Sequence, residues 1–212
     1  MNKFVFSIFI FLILLSTSHA FERSFTYLKQ PSLYEVGEFR VGVLHRFFGD
    51  FSTTKSLGMY DGANFSLDGS ISISDQRRVS FFFSNQDAEF DIGVNQYLFE
   101  YWNIYNSFQV DYFLYEFNNN NYSGFMIMYL MQYQNPNGKF FPIFNYYYNT
   151  DTEISNVAFG LEYILYNNVF FQYEYIVSNQ SSYDDSTSVY GIKFSTLGLN
   201  FYLTFQNTTE TG

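Results

Sequence analysis

Eleven ionisable residues stand out by position: Glu38, Arg40, Arg46, Asp68, Arg78, Glu89, Asp91, Asp111, Glu162, Glu174 and Lys193. Each sits among Ser, Asn and Gly and alternates with apolar neighbours. Side chains two apart on an extended strand share a face, so these residues are expected to line one side of a sheet. Such a lining can do two things. It can border a narrow, acid-leaning path that favours cations, since charged groups at membrane depth must face water or one another. Or it can fill a small barrel with internal ion pairs, Arg40, Arg46 and Arg78 against Asp68, Glu89 and Asp91.

Catalysis is not expected. Once the first twenty residues are set aside, His45 is the one histidine left, and alternation puts it beside Phe47 on the apolar side. A nucleophilic triad needs an imidazole next to a serine and a carboxylate, and no G-x-S-x-G pattern accompanies it. Cysteine is absent, which removes thiolate chemistry, disulfides and a lipidated N-terminal cysteine. No histidine pair or EF-hand loop supplies a metal set. The acidic loop residues Asp151, Glu153, Asp184 and Asp185 read as solvated surface charge. No G-x-G-x-x-G stands in a strand-turn-helix context, so no nucleotide cofactor is expected. A formal charge of -10 offers no basic stripe to meet phosphates and excludes nucleic acid as a partner.

The elements that must position these residues are strands. From Ala63 to Ser74 the odd positions are Ala, Phe, Leu, Gly, Ile and Ile, and the even ones are Asn, Ser, Asp, Ser, Ser and Ser. No helix tolerates that rhythm. Ile104 to Leu114 repeats it with Asn106 as the exception in the apolar set, and Leu197 to Gln206 repeats it again. Weaker alternation runs through 37–47, 78–84, 87–98, 156–166, 168–177 and 188–196. The segments 122–134 and 139–149 are apolar on both faces, so their register is not readable. Together these give about eleven strands of roughly eight to twelve residues, the length a tilted strand needs to cross hydrocarbon.

Connections add a second pattern. Short turns follow the even strands, at 74–77, 135–138 and 167–168, and longer polar loops tend to follow the odd ones, at 49–62, 116–121, 149–156 and 178–187; the tight 85–86 connection departs from it. Outer-membrane barrels present periplasmic turns and extracellular loops in this way. Aromatic residues near strand ends, Tyr97, Phe99, Tyr101, Trp102, Phe140, Phe141, Tyr146 and Tyr148, suit interfacial girdles.

Residues 1–20 carry Lys3, an apolar run from Phe4 to Leu15, and small residues at Ser18 and Ala20. This is the layout of a cleavable secretory signal. The expected organisation is a signal peptide over 1–20, an N-terminal periplasmic leader over 21–36 and a β-barrel over 37–212. The composition, 47% hydrophobic and 24% aromatic, is too apolar for disorder.

Three stretches, FTYLKQPSLYEVGEFRVGVLHRFFGDF, LGMYDGANFSLDGSISISDQRRVSFFFS and VYGIKFSTLGLNFYLTFQNTT, resemble a domain-of-unknown-function family of bacterial outer-membrane β-barrels. His45 to Gly49 and Asp61 to Asn64 carry the most specific part of the likeness, while 100–185 matches in character only. The resemblance implies a barrel without an assigned substrate. Members usually hold a histidine two residues before the late phenylalanine, where this chain has Leu199, Asn200 and Phe201. Members also continue into a final strand ending in an aromatic residue, so a twelfth strand is expected beyond Gly212.

The sequence thus predicts an all-β, antiparallel up-and-down transmembrane barrel of about 11–12 strands in a Gram-negative outer membrane. Its expected surroundings are outer-membrane lipids, lipopolysaccharide and the barrel-assembly machinery. The leading function is a narrow, porin-like pore or passive transporter for an ion or small molecule. A structural or surface-interaction barrel, and a soluble lipocalin-like ligand binder with its apolar set turned inward, are the alternatives.

Overall fold

The computed structural model describes residues 29, 31, 35–47, 63–85, 89–117, 120–134, 137–178, 186–196 and 199–207. They form eleven strands: β1 (Phe39–Phe47), β2 (Ala63–Ser72), β3 (Arg77–Ser84), β4 (Phe90–Tyr101), β5 (Ile104–Phe117), β6 (Asn120–Tyr133), β7 (Phe140–Asn149), β8 (Ile154–Tyr166), β9 (Val169–Ser178), β10 (Ser186–Thr196) and β11 (Leu199–Asn207). Each pairs antiparallel with its neighbours in chain order, giving one up-and-down sheet. Among the described residues no ladder joins β1 to β11, so the sheet is not closed. The fold is all-β, as the two-residue rhythm dictates. The signal peptide over 1–20, most of the leader over 21–36, the loop at 49–62 and most of the loop at 178–187, with Asp184 and Asp185, lie outside the described residues; β2 begins directly after the 49–62 loop, at Ala63.

The strands are longer, and some connections shorter, than the sequence indicates. The stretch 116–121, read as an Asn-rich loop, is mostly ladder: Glu116 pairs with Asn121 and Phe117 with Asn120. Likewise β7 and β8 are joined by only 150–153. Both connections follow odd strands, so the parity of loop lengths is weaker than expected. At the opposite end, Trp102 and Asn103 make a two-residue hairpin with φ of 50° and 61°, the left-handed pair that matches the strand twist.

Burial is inverted relative to a water-soluble sheet. Among the described residues sixteen polar or charged side chains are buried against seven hydrophobic ones. The buried set follows the period: Ser66, Ser70 and Ser72 on β2, Asn95 and Tyr97 on β4, Ser107, Gln109, Asp111 and Phe113 on β5. Their alternates, Ile71, Ile92, Val94, Phe108 and Leu114, are exposed. A single sheet has no second layer to cover one face, so the polar face is covered by the sheet curling over it. The curl also settles the two segments of unreadable register: Met128 and Leu130 on β6 and Ile143 on β7 point inward, and Ile143 packs with Ala158, Tyr147 and Ile176.

Two bulges adjust the outer face. Register shifts between Tyr97 and Phe99 on β4 and between Ile164 and Tyr166 on β8. An extra residue flips the alternation, so Leu98 and Phe99 are both exposed, as are Leu165 and Tyr166. Exposed rings collect at this end of the sheet, where Tyr101 stacks on Trp102 at 5.1 Å between centroids, joined by Phe140 and Tyr163. Tyr97 is a correction to the expected girdle: it precedes the bulge, keeps the inward register of Asn95, and is buried. Phe141 also departs from the girdle, since it shares the inward register of Ile143 and stands opposite Glu162.

Candidate functional site inside the sheet

The interior holds ten of the residues singled out from sequence, in three groups. At the start of β1, Glu38 is shared by two guanidiniums. Arg40 donates from Nε to Glu38 Oε1 at 2.7 Å, and Arg78 donates from Nη2 to Glu38 Oε2 at 2.8 Å and from Nε to Ser72 Oγ at 3.2 Å. Arg78 is wholly buried. Both guanidiniums thus bond Glu38, a carboxylate that the expected pairing with Asp68, Glu89 and Asp91 did not include. The register explains it: Arg78 stands opposite Ser72 on β2, next to which Glu38 accepts the backbone N–H of Ser72 at 2.9 Å. Arg46 lies on β1, and its side chain, like that of His45, is outside the described ones.

The second group is an acidic layer across β2, β4 and β5. Asp68, Asp91 and Asp111, with Gln109, Ser80 and Phe82, border a cavity of about 20 Å³, room for about one water. Gly42 and Gly93 make space for it, because a Cβ at either would run into the carboxylate of Asp68 or Asp111 respectively. Asp111 is held at both oxygens: Gln109 Nε2 donates to Oδ1 at 2.7 Å and Lys29 Nζ donates to Oδ2 at 2.5 Å. Asn95 Nδ2 donates in turn to Gln109 Oε1 at 3.1 Å. Glu89, half-buried, continues the inward register of β4 above Asp91.

The third group lies on β8, β9 and β10. Lys193 Nζ donates to Glu162 Oε2 at 2.5 Å, Gln172 Nε2 donates to the same oxygen at 2.8 Å, and the Lys193 ammonium sits 4.2 Å from the centroid of the Phe170 ring. Glu174 is buried one alternate position beyond Gln172. Between the acidic layer and this group, Met128, Leu130, Ile143 and Ala158 make an apolar wall. The described interior counts seven carboxylates (Glu38, Asp68, Glu89, Asp91, Asp111, Glu162, Glu174) against four cations (Lys29, Arg40, Arg78, Lys193), a formal surplus of three negative charges. Buried charges of this kind persist because each pair is hydrogen-bonded as well as charged.

Lys29 is the interior residue that sequence reasoning missed. It belongs to the segment read as a periplasmic leader, and no alternation marks it. Its backbone carbonyl accepts a hydrogen bond from Asn145 Nδ2 on β7 at 3.0 Å, and Pro31 is fully buried. Two residues of the leader thus lie inside the curled sheet.

Asn106, the polar exception on the apolar face, is explained by the β4 bulge. Its Nδ2 donates to the carbonyl oxygens of Ile104 at 3.0 Å and Phe99 at 3.4 Å, and Tyr129 donates its hydroxyl to Asn106 Oδ1 at 2.5 Å. The amide thus bonds one carbonyl on each strand, that of Phe99 just past the bulge and that of Ile104 at the start of β5. Asn106→Ala is expected to lower stability by about 1–3 kcal/mol, the cost of unsatisfied buried polar groups, read as a shifted urea midpoint in detergent micelles. Asn106→Gln, which keeps an amide, should lose less.

Among the described residues no three acidic or imidazole groups stand close enough to share a metal ion. No helix among them is long and apolar enough to cross a membrane. No family model, no curated protein and no solved structure matches the chain.

Proposed function

We propose that this chain is a bacterial outer-membrane β-barrel, exported by a cleavable signal over 1–20, whose polar interior is a narrow path for small solutes. The observation that carries the reading is the inversion of burial. Val43, Ile92, Val94, Phe125 and Phe159 are exposed on one face while Arg78, Asn95, Glu174 and Lys193 are buried on the other. In water that arrangement exposes far more contiguous apolar surface than a monomer carries. In lipid it is the favoured one, an apolar band flanked by aromatic girdles around a polar interior. It speaks against a lipocalin-like binder, which needs its apolar set inside. The three stretches that resemble outer-membrane barrels agree with it, and delivery would then involve the barrel-assembly machinery and lipopolysaccharide contact at the loops.

Lipid also demands that the ladder edges of β1 and β11 find partners, since each orphan backbone group there costs several kcal/mol. Mutual pairing or one added strand would do so. A second reading, a surface-interaction barrel without a path, draws on the interior being filled by side chains around a cavity of about 20 Å³.

The test is partition. The expressed chain should sediment with outer membranes, be extracted only by detergent, and migrate faster on a gel unheated than boiled. Recovery as a detergent-free monomer in the aqueous fraction would remove the membrane reading.

A further inference from the structure

The connection between β7 and β8 folds inward over one end of the interior. Its residues, 150–153, continue the β6–β7 ladder before they turn. Met126 stands opposite Asn149, the Thr150 N–H donates to the Phe125 carbonyl at 2.9 Å, and Thr150 Oγ1 accepts the Phe125 N–H at 2.8 Å. Asp151 is therefore the next position, abreast of Gly124, and Gly124 shares the covered side of β6 with Met128 and Leu130. Asn149 holds the bend: its Oδ1 accepts the N–H of Asp151 at 2.8 Å and that of Thr152 at 3.3 Å. Glu153, with φ of 57°, then returns the chain into β8.

The bend leans on β6. A Cβ at Gly124 would meet Asp151 Cβ at 3.0 Å, Asp151 N at 3.2 Å and Phe113 Cζ at 2.8 Å, whereas facing Cβ atoms on paired strands ordinarily stand about 4.5–5.5 Å apart. Glycine leaves the room that this approach needs. The Asp151 side chain then reaches across β6 to β5, where the Tyr115 hydroxyl donates to Oδ2 at 3.3 Å. Tyr115 offers a stiff partner, because its ring stacks on Tyr122 at 5.1 Å and 14° and lies 5.9 Å from the Phe113 ring, contacts that hold aromatic pairs in place. Asp151, read from the sequence as solvated surface charge, thus stands at the edge of the interior beside three rings.

We propose that this turn narrows the path at its end of the sheet and that Asp151 is a residue there that sets which small solutes pass, favouring cations over anions. This rests on the reading of the interior as a path. A carboxylate fixed at a narrowing acts on each ion that passes it, as acidic side chains do in cation channels. Its removal shifts the preference towards anions whatever other groups line the wall.

The full chain, which lacks cysteine, allows a test in two arms. In the first, Asp151→Cys paired with Tyr115→Cys, inserted in phospholipid vesicles, should be joined by a short bifunctional thiol reagent. Tyr115→Cys paired with Asp75→Cys, in the exposed turn at the opposite end of the sheet, should not. In the second, planar bilayers across a potassium chloride gradient read the ratio of potassium to chloride permeability. Asp151→Asn should lower that ratio about fivefold, the effect of one unit charge about 4 Å from the ion in water. On Asp151→Cys, a sulfonate-bearing thiol reagent should raise the ratio back towards wild type and an ammonium-bearing one should lower it further. Both reagents should reduce single-channel conductance, since each enlarges the side chain. Ser123→Cys, exposed on the other face of β6 one residue from Gly124, should change neither reading.

Absence of the cross-link between positions 151 and 115 in a folded, inserted protein overturns the inward turn. A cross-link with an unchanged permeability ratio in Asp151→Asn overturns the selective narrowing and leaves the path intact. An inserted wild type that never opens removes the path reading and the narrowing with it.

Discussion

Replacing Glu38 with methionine is expected to destabilise the folded protein by about 3–5 kcal/mol, the usual loss when one partner of a buried ion pair is removed. The reason lies in how one carboxylate is divided. Arg40 bonds Oε1 and Arg78 bonds Oε2, and Arg78 is wholly buried. Without Glu38 both guanidiniums lose this carboxylate at once. Arg78→Met should cost less, since Glu38 keeps Arg40 and the methionine fills much of the vacated space. The double variant Glu38→Met with Arg78→Met should recover part of the single loss, because buried pairs replaced by apolar residues are often close to neutral. Urea unfolding in micelles, followed by tryptophan fluorescence from Trp102, gives the three midpoints. If Glu38→Met costs no more than Arg78→Met, the carboxylate is not the hub of this cluster.

That cluster also measures what the sequence could disclose. Alternation placed Glu38, Arg40 and Arg78 on one face, and each now lies on the covered one. It could not say which carboxylate meets which guanidinium, because that depends on strand stagger. Arg78 stands beside Ser72 and therefore beside Glu38, while Asp68 stands opposite Phe82. The same limit applies to Lys29. A leader without periodicity carries no facing information, and the one readable hint was a glycine two residues before β1 with a lysine and a proline upstream.

Other misses have equally local causes. The Asn-rich stretch 116–121 reads as a loop, yet β5 and β6 run to fourteen residues each and pair as far as Phe117 and Asn120. Segments 122–134 and 139–149 gave no register because Met, Leu and Ile serve both the apolar wall inside and the outer face. Bulges have no residue signature here. Leu98 and Leu165 look like ordinary strand residues, and only pairing reveals that the alternation slips past them. Asn106 was the visible trace of the first slip, a polar residue on the apolar face that stands opposite Phe99, the residue just past it.

The second large effect concerns the outer face and decides between lipid and water as its solvent. Val94 lies in the middle of β4, opposite Val79 and Val110, and is 48% exposed. Were that exposure to water, Val94→Arg would fall within about 0.5 kcal/mol of wild type, as surface substitutions away from special features do. Facing the centre of a bilayer, the same arginine should cost about 2–4 kcal/mol. The control is Asp75→Arg, in the exposed turn between β2 and β3, where either solvent predicts almost no change. Reversible unfolding in phospholipid vesicles separates the two values by several times the error of a midpoint. A large loss at Val94 with none at Asp75 requires a medium that penalises charge on the apolar face but not at the sheet's end. Hydrocarbon does this because it cannot hydrate a guanidinium, whereas the turn reaches past it into water. Equal, small effects at both sites would mean that the apolar face is wet, and the inverted burial would then need a protein partner rather than a membrane to explain it.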